Sequence, residues 1–349
     1  MNGTTDHGVR VLSLFSGSMA SQVATELVAR LPQVEEVCLL HFRGPLFEEL
    51  DHFRETLKLD WAEMKYRTQS LKREVRQLVS SPAGEPFSIA QTCFSCRSLL
   101  LARGVRYMER IGAQFLVTGE LVGEHGLTAD NLASISERLG ATGRIFRPLS
   151  AGLLPPLDPD VRSVVGDGIS FAWTNEDTDS LESLAGEMGI CLASDAPCRS
   201  RCKLMRPGFG ERLTNLFREE GFTLNGLKLL DFELYYKLPP NVKIVLAVSE
   251  DEKRALQNLF FPNDLRVYLA SCKGPMALVR TPWSEKTDDE IVQIIEVAAR
   301  ITATHGDVGQ RASVVAKYRF ENEDETSQLT VQPFETPAEI ARHCVGVQC

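Results

Sequence analysis

The stretch VRVLSLFSGSMASQVATELV, residues 9–28, decides the fold of the first half of the chain. Its first seven residues are mostly apolar and predict a buried strand, whereas helix-forming residues follow from about Ala20. Between them stands a turn of small residues, Ser16-Gly17-Ser18. A strand, such a turn and a helix N-terminus bring free backbone N–H groups and the positive end of the helix dipole to one point. The stretch therefore predicts an anion-binding turn.

The rest of the first half repeats this alternation of short apolar strands and helices. Strands separated by helices of about 10 to 15 residues indicate a doubly wound parallel sheet, in which ligands bind at the carboxyl ends of the strands. Extended segments are predicted at Val34–Phe42, Ala62–Thr68 and Ala113–Glu120, and helices at about Leu46–Leu57, Arg97–Arg110 and Ala129–Leu139. The second half mixes strands and helices less regularly and predicts a smaller α+β domain.

Composition and charge limit the classes of function. The net charge of −9 argues against a broad nucleic-acid surface and leaves room for a local basic patch. No apolar run approaches the roughly 20 residues that span a bilayer, and the first ten residues lack the basic-then-apolar order of an export signal. We therefore expect a cytoplasmic chain without a membrane partner. Its nine cysteines are then expected to be buried residues, metal ligands or reactive thiols rather than disulfides.

Three cysteines are the candidates for chemistry. Cys93 and Cys96 form a CxxC motif, which is predicted to lie at the start of a helix. A thiol at a helix N-terminus has a lowered pKa, which suits metal ligation or nucleophilic sulfur chemistry. Cys202 lies in CRSRCKLMRPGFGERL, a segment with five basic residues and one acid. Four of these basic residues are candidates for contact with RNA phosphates, with a merely solvated face as the alternative: Arg199, Arg201, Lys203 and Arg206.

Two further motifs carry a resemblance to a known superfamily. Residues 16–21, SGSMAS, resemble the SGGxDS loop of the PP-loop ATP pyrophosphatases, which adenylate a substrate oxygen and release pyrophosphate. The turn Thr118-Gly119-Glu120 with Gly123 and the following Asn131-Leu132 resembles the branch that places sulfur on tRNA uridines. The chain is most similar to a ThiI-like tRNA sulfurtransferase subgroup within that branch.

Two loop positions depart from the superfamily's pattern. Ser18 stands where the second glycine is expected, so that the backbone approaches a phosphate less freely. Ala20 stands where the pattern has an aspartate that is expected to help order the magnesium–pyrophosphate end. Both departures favour a lapsed nucleotide site, whereas the three retained cysteines favour an enzyme.

The resemblance implies a Rossmann-like fold of the adenine nucleotide alpha hydrolase type, with ATP and Mg²⁺ as cofactors and tRNA as partner. Sulfur would come from a donor protein or from sulfide. Cys93, Cys96 and Cys202 would either hold a [4Fe–4S] cluster whose free iron carries sulfide, or carry and resolve a persulfide; Cys198 is an alternative fourth ligand. The nucleotide contacts would come from Ser16, Gly17, Ser18, Ser21, Thr118, Gly119 and Glu120.

The predicted organisation is a PP-loop ATP-binding domain at 1–175, a cysteine-containing connection at 176–215 and an α+β domain at 216–349, with RNA contact by the last left open. In that domain DFELYYKLPP and LAVSEDEKRAL bring acids where the family carries basic groups, which argues against RNA contact. Three functions remain: a tRNA sulfurtransferase that forms 4-thiouridine or 2-thiouridine, a related sulfur transfer to a small molecule, and a non-catalytic Fe–S or nucleotide-binding homologue.

Overall fold

The computed structural model describes residues 8–47, 64–79, 88–190, 202–219, 222–309 and 312–345. The chain divides into two compact units, Met1–Met205 and Arg206–Cys349, and each unit is built around one sheet. None of the described helices is long and apolar enough to cross a membrane. The assignment of 176–215 as a separate connection stays a prediction.

The first unit contains a five-stranded sheet in the order β3-β2-β1-β4-β5. Every neighbouring pair in it is parallel, which confirms the predicted α/β fold. Because the chain moves outward from β1 to β3 and then returns to β4 on the other side of β1, the loops after β1 and β4 flank a topological switch point. The strands are β1 Val9–Leu14, β2 Val34–Arg43, β3 Lys65–Ser70, β4 Phe115–Thr118 and β5 Ile145–Phe146.

Helices cover both faces of this sheet. On one face Val105 and Met108 pack against Leu12 and Leu116; on the other Ala24 packs in a cluster with the outward residues of β1 and β4. The loop helix, Met19–Ala29, and the cysteine helix, Ile89–Ile111, are the two that reach the site. The other helices of this unit are Val75–Val79, Ala129–Arg138, Pro159–Val165 and Thr178–Glu187, with 3-10 turns at Glu124–Gly126, Pro148–Leu153 and Lys203–Met205.

The predicted start of the cysteine helix was wrong. The helix begins at Ile89, where the Ser88 side chain accepts a hydrogen bond from the backbone N–H of Gln91. The CxxC motif therefore lies about one turn inside the helix and away from its free N–H groups. The helix that was expected over about Leu46–Leu57 lies almost entirely outside the described residues.

The second unit is an α+β domain, as predicted. Its six strands are antiparallel in the order β11-β10-β8-β9-β7-β6. The helix Asp288–Thr304 covers one face, where its buried side chains join a core with β7, β8 and β9. The strands are β6 Tyr235–Leu238, β7 Val242–Ala247, β8 Leu265–Leu269, β9 Met276–Arg280, β10 Val314–Phe320 and β11 Ser327–Val331; the remaining helices are Phe209–Glu219, Leu224–Leu229, Glu250–Gln257 and Pro337–Ala341, with a 3-10 turn at Trp283–Glu285.

Candidate functional site

A cavity opens at the carboxyl ends of β1, β2 and β4 in the first unit. Its polar wall includes the three loop serines, the turn Thr118-Gly119-Glu120, and Cys202. Arg97, Glu124 and His125 complete that wall, and apolar side chains such as Phe42 and Leu100 form the rest. The fold thus brings together residues that are more than 180 positions apart in the sequence. We refer to this cavity as the rim cavity.

The loop after β1 forms a small network of hydroxyl groups at the start of the loop helix. Gly17 has a φ of 82°, a left-handed conformation that glycine adopts freely. Ser18 is the N-cap of the helix. The Ser16 hydroxyl donates to Ser18 Oγ at 2.9 Å and to Ser21 Oγ at 3.2 Å, while the Gly17 N–H donates to Ser21 Oγ at 3.0 Å. These hydroxyls line the cavity, where an anion would compete for the same donors.

Ala20 occupies an apolar environment rather than the wall of the cavity. It is 7% exposed and belongs to a cluster with Met19, Val23 and Leu149. A carboxylate at position 20 would be buried among these side chains at a large desolvation cost. The carboxylates that line the rim cavity belong instead to Glu120 and Glu124.

The turn after β4 lies directly against the loop helix. A Cβ atom added at Gly119 would lie 2.4 Å from the carbonyl carbon and oxygen of Ala20 and 2.5 Å from the backbone nitrogen of Ser21. Backbone atoms cannot yield as the end of a flexible side chain can. Only glycine therefore fits between β4 and the phosphate-type loop.

We expect Gly119→Ala to destabilise the protein by about 1–3 kcal/mol, because the added methyl group must push two backbone segments apart. Urea unfolding of the purified variant measures this change. Gly168→Ala is the matched control, since an added Cβ there meets nothing within 4 Å. Equal stability of the two variants would show that the loop and the turn are not in close contact.

A buried ion triad forms the floor of the site. Glu120 lies between two arginines, with Arg97 Nε 2.8 Å from Oε1 and Arg147 Nε 2.6 Å from Oε2. The Thr118 hydroxyl also donates to Glu120 Oε2 at 3.0 Å. Burial raises the pKa of Glu120, but the charges of Arg147 and Arg97 outweigh it and hold that pKa below its ordinary value. Sequence reasoning placed Glu120 here and missed both arginines.

Cys93 contacts a histidine that sequence reasoning had set aside. Its Sγ lies 3.8 Å from His125 Nδ1, and His125 Nε2 lies 3.4 Å from Glu124 Oε1. His125 has a φ of 57°, a left-handed conformation that is uncommon outside glycine. Burial lowers the pKa of His125, but its hydrogen bonds to Cys93 and Glu124 raise it to about 9.

Cys202 reaches the cavity through backbone pairing beside the end of β2. It forms an isolated bridge with Phe47, and the Lys203 N–H donates to the Leu46 carbonyl at 2.8 Å. Burial raises the pKa of Cys202 to about 12, and negative charge on Cys93 or Cys96 would raise it further. The three sulfurs therefore share one electrostatic neighbourhood.

The predicted lowering of the CxxC pKa is wrong for Cys96. Burial raises its pKa to about 11, and the nearby charge of Arg97 lowers it only in part. The physical reason is the early start of the cysteine helix, which removes Cys96 from the helix N-terminus and places it in the protein interior. Cys38, by contrast, is a core residue as expected.

The cysteines match an iron–sulfur cluster by ligand type but not by arrangement. Within the described ranges, no group of three or more His, Cys, Asp or Glu side chains is placed to hold a metal ion. Cys198, the alternative fourth ligand, lies outside those ranges. Cys344 is disulfide-bonded, contrary to the expectation that the cysteines are reduced, and its partner is not among the described residues.

The predicted RNA-contacting segment is described only in part. Arg199 and Arg201 lie outside the described residues. Lys203 is buried, and Arg206 Nη1 lies 3.5 Å from Asp231 Oδ1. Their assignment to RNA stays a prediction.

Comparison with known proteins gives one family match. Residues 235–343 match the family described as "NFACT protein RNA binding domain". No curated protein matches the chain significantly.

Three solved structures show weak similarity, each with a TM-score of 0.28. The C-terminal part of a fibronectin/fibrinogen-binding protein from Streptococcus suis is 10% identical, over 49% of this chain and 76% of that one. A predicted tRNA methyltransferase subunit from Methanocaldococcus jannaschii is 15% identical, over 52% and 88%. The U34-tRNA thiolase NcsA from Methanococcus maripaludis, with its [4Fe-4S] cluster, is 14% identical, over 64% and 73%. Similarity of this size determines neither activity nor substrate.

Proposed function

We propose that the protein is an ATP-dependent tRNA sulfurtransferase of the PP-loop type. One observation carries the proposal: the loop serines and Cys202 line the same cavity, and Cys93 contacts His125 on its wall. A nucleotide and a sulfur atom must meet in such an enzyme. The cavity lies at the switch point of a Rossmann-like sheet, where ligands bind in this class of fold.

The loop would bind the phosphates of ATP. Ser16, Ser18 and Ser21 supply hydroxyl groups, and the N-terminus of the loop helix supplies backbone N–H groups and a favourable dipole. When bound, Mg²⁺ would neutralise phosphate charge, and Glu124 is the lining carboxylate that is not enclosed between two arginines. The uridine carbonyl oxygen would attack the α-phosphorus of ATP, and pyrophosphate would leave.

Sulfur transfer would then use two cysteines. Cys93, charged with a second sulfur atom by the donor, would attack the adenylated uridine carbon through the terminal sulfur of its persulfide, and AMP would leave. The Cys202 thiolate would then attack the Cys93 sulfur, which forms a disulfide and releases the thiolated uridine. A dithiol reductant would restore both thiols. No step passes through an iron–sulfur cluster, since the arrangement does not fit one.

The family description of residues 235–343 as an RNA binding domain supports RNA as the partner. The non-catalytic alternative has its own support, because the apolar surroundings of Ala20 leave no room for the aspartate of the SGGxDS pattern. The identity of the modified uridine and of the sulfur donor belongs to the experiment below.

We expect the purified protein to release pyrophosphate from ATP only when bulk tRNA is present. Ser16→Glu is expected to abolish this release, because it places a negative charge in the cavity where phosphate must bind. Ser163→Glu, on an exposed helix position, is the matched control and should retain the activity.

Other outcomes separate the alternatives. Pyrophosphate release that does not depend on RNA would favour a small-molecule substrate. ATP binding without turnover under all conditions would favour the non-catalytic homologue and contradict the proposal.

A further inference from the structure

The antiparallel sheet of the second unit has one apolar face and one basic face. Successive side chains in a strand point to opposite faces. In β8, Leu265 and Val267 join the core with the helix Asp288–Thr304, so Arg266 and Tyr268 face the other way. β10 follows the same alternation, with Val314 and Ala316 in the core and its basic residues on the opposite side.

The register brings these polar side chains together. Arg319 pairs with Arg266 and Lys317 pairs with Tyr268, and directly paired residues of antiparallel strands share a face. We call the set Arg266, Tyr268, Lys317 and Arg319 the basic face.

The charges on this face are not balanced in the same way. Two arginines directly opposite each other repel and cost stability. Arg266 is compensated, because it forms two hydrogen bonds to the Glu321 carboxylate at 2.7 and 3.0 Å and stacks over the Phe260 ring. Arg319 donates to a backbone carbonyl, that of Glu323, at 3.2 Å, and no ion pair of Arg319 or Lys317 is found among the described residues. The basic face therefore holds uncompensated positive charge.

A groove runs along this face. It has a volume of about 580 Å³ and is lined by Arg266, Tyr268 and Arg319 together with Lys253 and Lys273. This volume is in the range of sites that hold a ligand of nucleotide size. Lys253 is paired with Glu250, whereas Lys273 is exposed. An anionic chain with a net charge of −9 thus concentrates cations and one aromatic ring in a single groove.

We propose that this groove binds single-stranded RNA, with backbone phosphates at Lys273, Lys317 and Arg319 and a base stacked on Tyr268. Cations along a groove with an interleaved aromatic residue suit an RNA strand, since phosphates need positive charge and unstacked bases need an aromatic surface. The inference rests on the proposed function and gives its RNA partner a specific surface. An acidic protein segment would use the cations but would leave Tyr268 without a role.

The test is the binding of fluorescent bulk tRNA, and of a short unstructured RNA, to the full chain over a range of salt concentrations. The double variant K273E/R319E is expected to bind at least about ten-fold more weakly at low salt, and its slope of log affinity against log salt should fall by about two, one unit for each lost phosphate contact. Tyr268→Ala is expected to weaken binding with an unchanged slope, because stacking releases no counterions. The matched control K228E/R342E makes the same change in net charge at exposed positions of the same unit and should bind as the wild type does.

The outcomes separate this inference from the proposed function. Wild-type affinity in K273E/R319E, together with tRNA-dependent pyrophosphate release, would overturn the groove and leave the function standing. Loss of binding in that variant without any pyrophosphate release by the wild type would support the groove and contradict the enzyme. Tighter binding of polyglutamate than of RNA, unaffected by Tyr268→Ala, would assign an acidic protein partner and overturn the inference.

Discussion

Cys93→Ser is expected to lower the rate of sulfur transfer by at least about a thousand-fold, since removing a covalent catalytic group has effects of this order or larger. Pyrophosphate release should persist in the variant, because adenylation uses the loop and not the thiol. The measurement pairs pyrophosphate release with the content of thiolated nucleoside in digested tRNA. Cys272→Ser, in the second unit, is the control and should retain both activities.

Cys202→Ser separates the two roles that are proposed for the cysteines. If Cys202 resolves a mixed disulfide, the variant should remain attached to tRNA through Cys93, and a reducing agent should release one thiolated uridine for each protein molecule. Steady turnover by Cys202→Ser without a reducing agent would show that Cys202 does not resolve the intermediate. Loss of iron-dependent absorbance in all three cysteine variants would instead restore the cluster as the sulfur carrier.

The fold of the first unit could be predicted because its signals are local. The strand, the turn at Gly17 and the loop helix are adjacent in sequence, and the alternation of strands and helices leaves few possible topologies. The rim cavity follows from that topology, since the loops after β1 and β4 must meet at the switch point. The contact between Gly119 and Ala20 is the physical form of that meeting.

The parts that were missed depend on contacts between distant segments or on face alternation. Arg97 and Arg147 are 50 positions apart, and nothing in either local sequence indicates that both reach Glu120. The cap at Ser88 moved the helix start and with it the environment of Cys96. The basic residues of the second unit form no run in the sequence; they alternate with core residues in β8 and β10. Counting charges along the chain therefore hid the face that the register assembles.

Acid should weaken the protein through Glu120. Its pKa is lower in the folded protein than in the unfolded chain, so its stabilising contribution is fully present above the unfolded pKa and is lost as the pH falls through the folded pKa. Glu120→Gln should remove this part of the pH dependence, since an amide does not titrate. Urea unfolding of both proteins between neutral and acidic pH measures the difference.

The same substitution is expected to cause the largest loss of stability, about 3–5 kcal/mol at neutral pH, because breaking a buried ion pair leaves charge uncompensated in the interior. Gln keeps the shape of Glu120 and can still accept a hydrogen bond from Thr118, so the loss reports the charge between Arg97 and Arg147. Asp167→Asn makes the same chemical change in an exposed pair, where Arg162 Nη2 lies 3.3 Å from Asp167 Oδ1 and the two side chains are 64% and 88% exposed. That control should lie within about 0.5 kcal/mol of the wild type, because solvent screens such pairs. Equal effects of the two substitutions would mean that water reaches the triad and that the rim cavity lacks the rigid floor on which the nucleotide site depends.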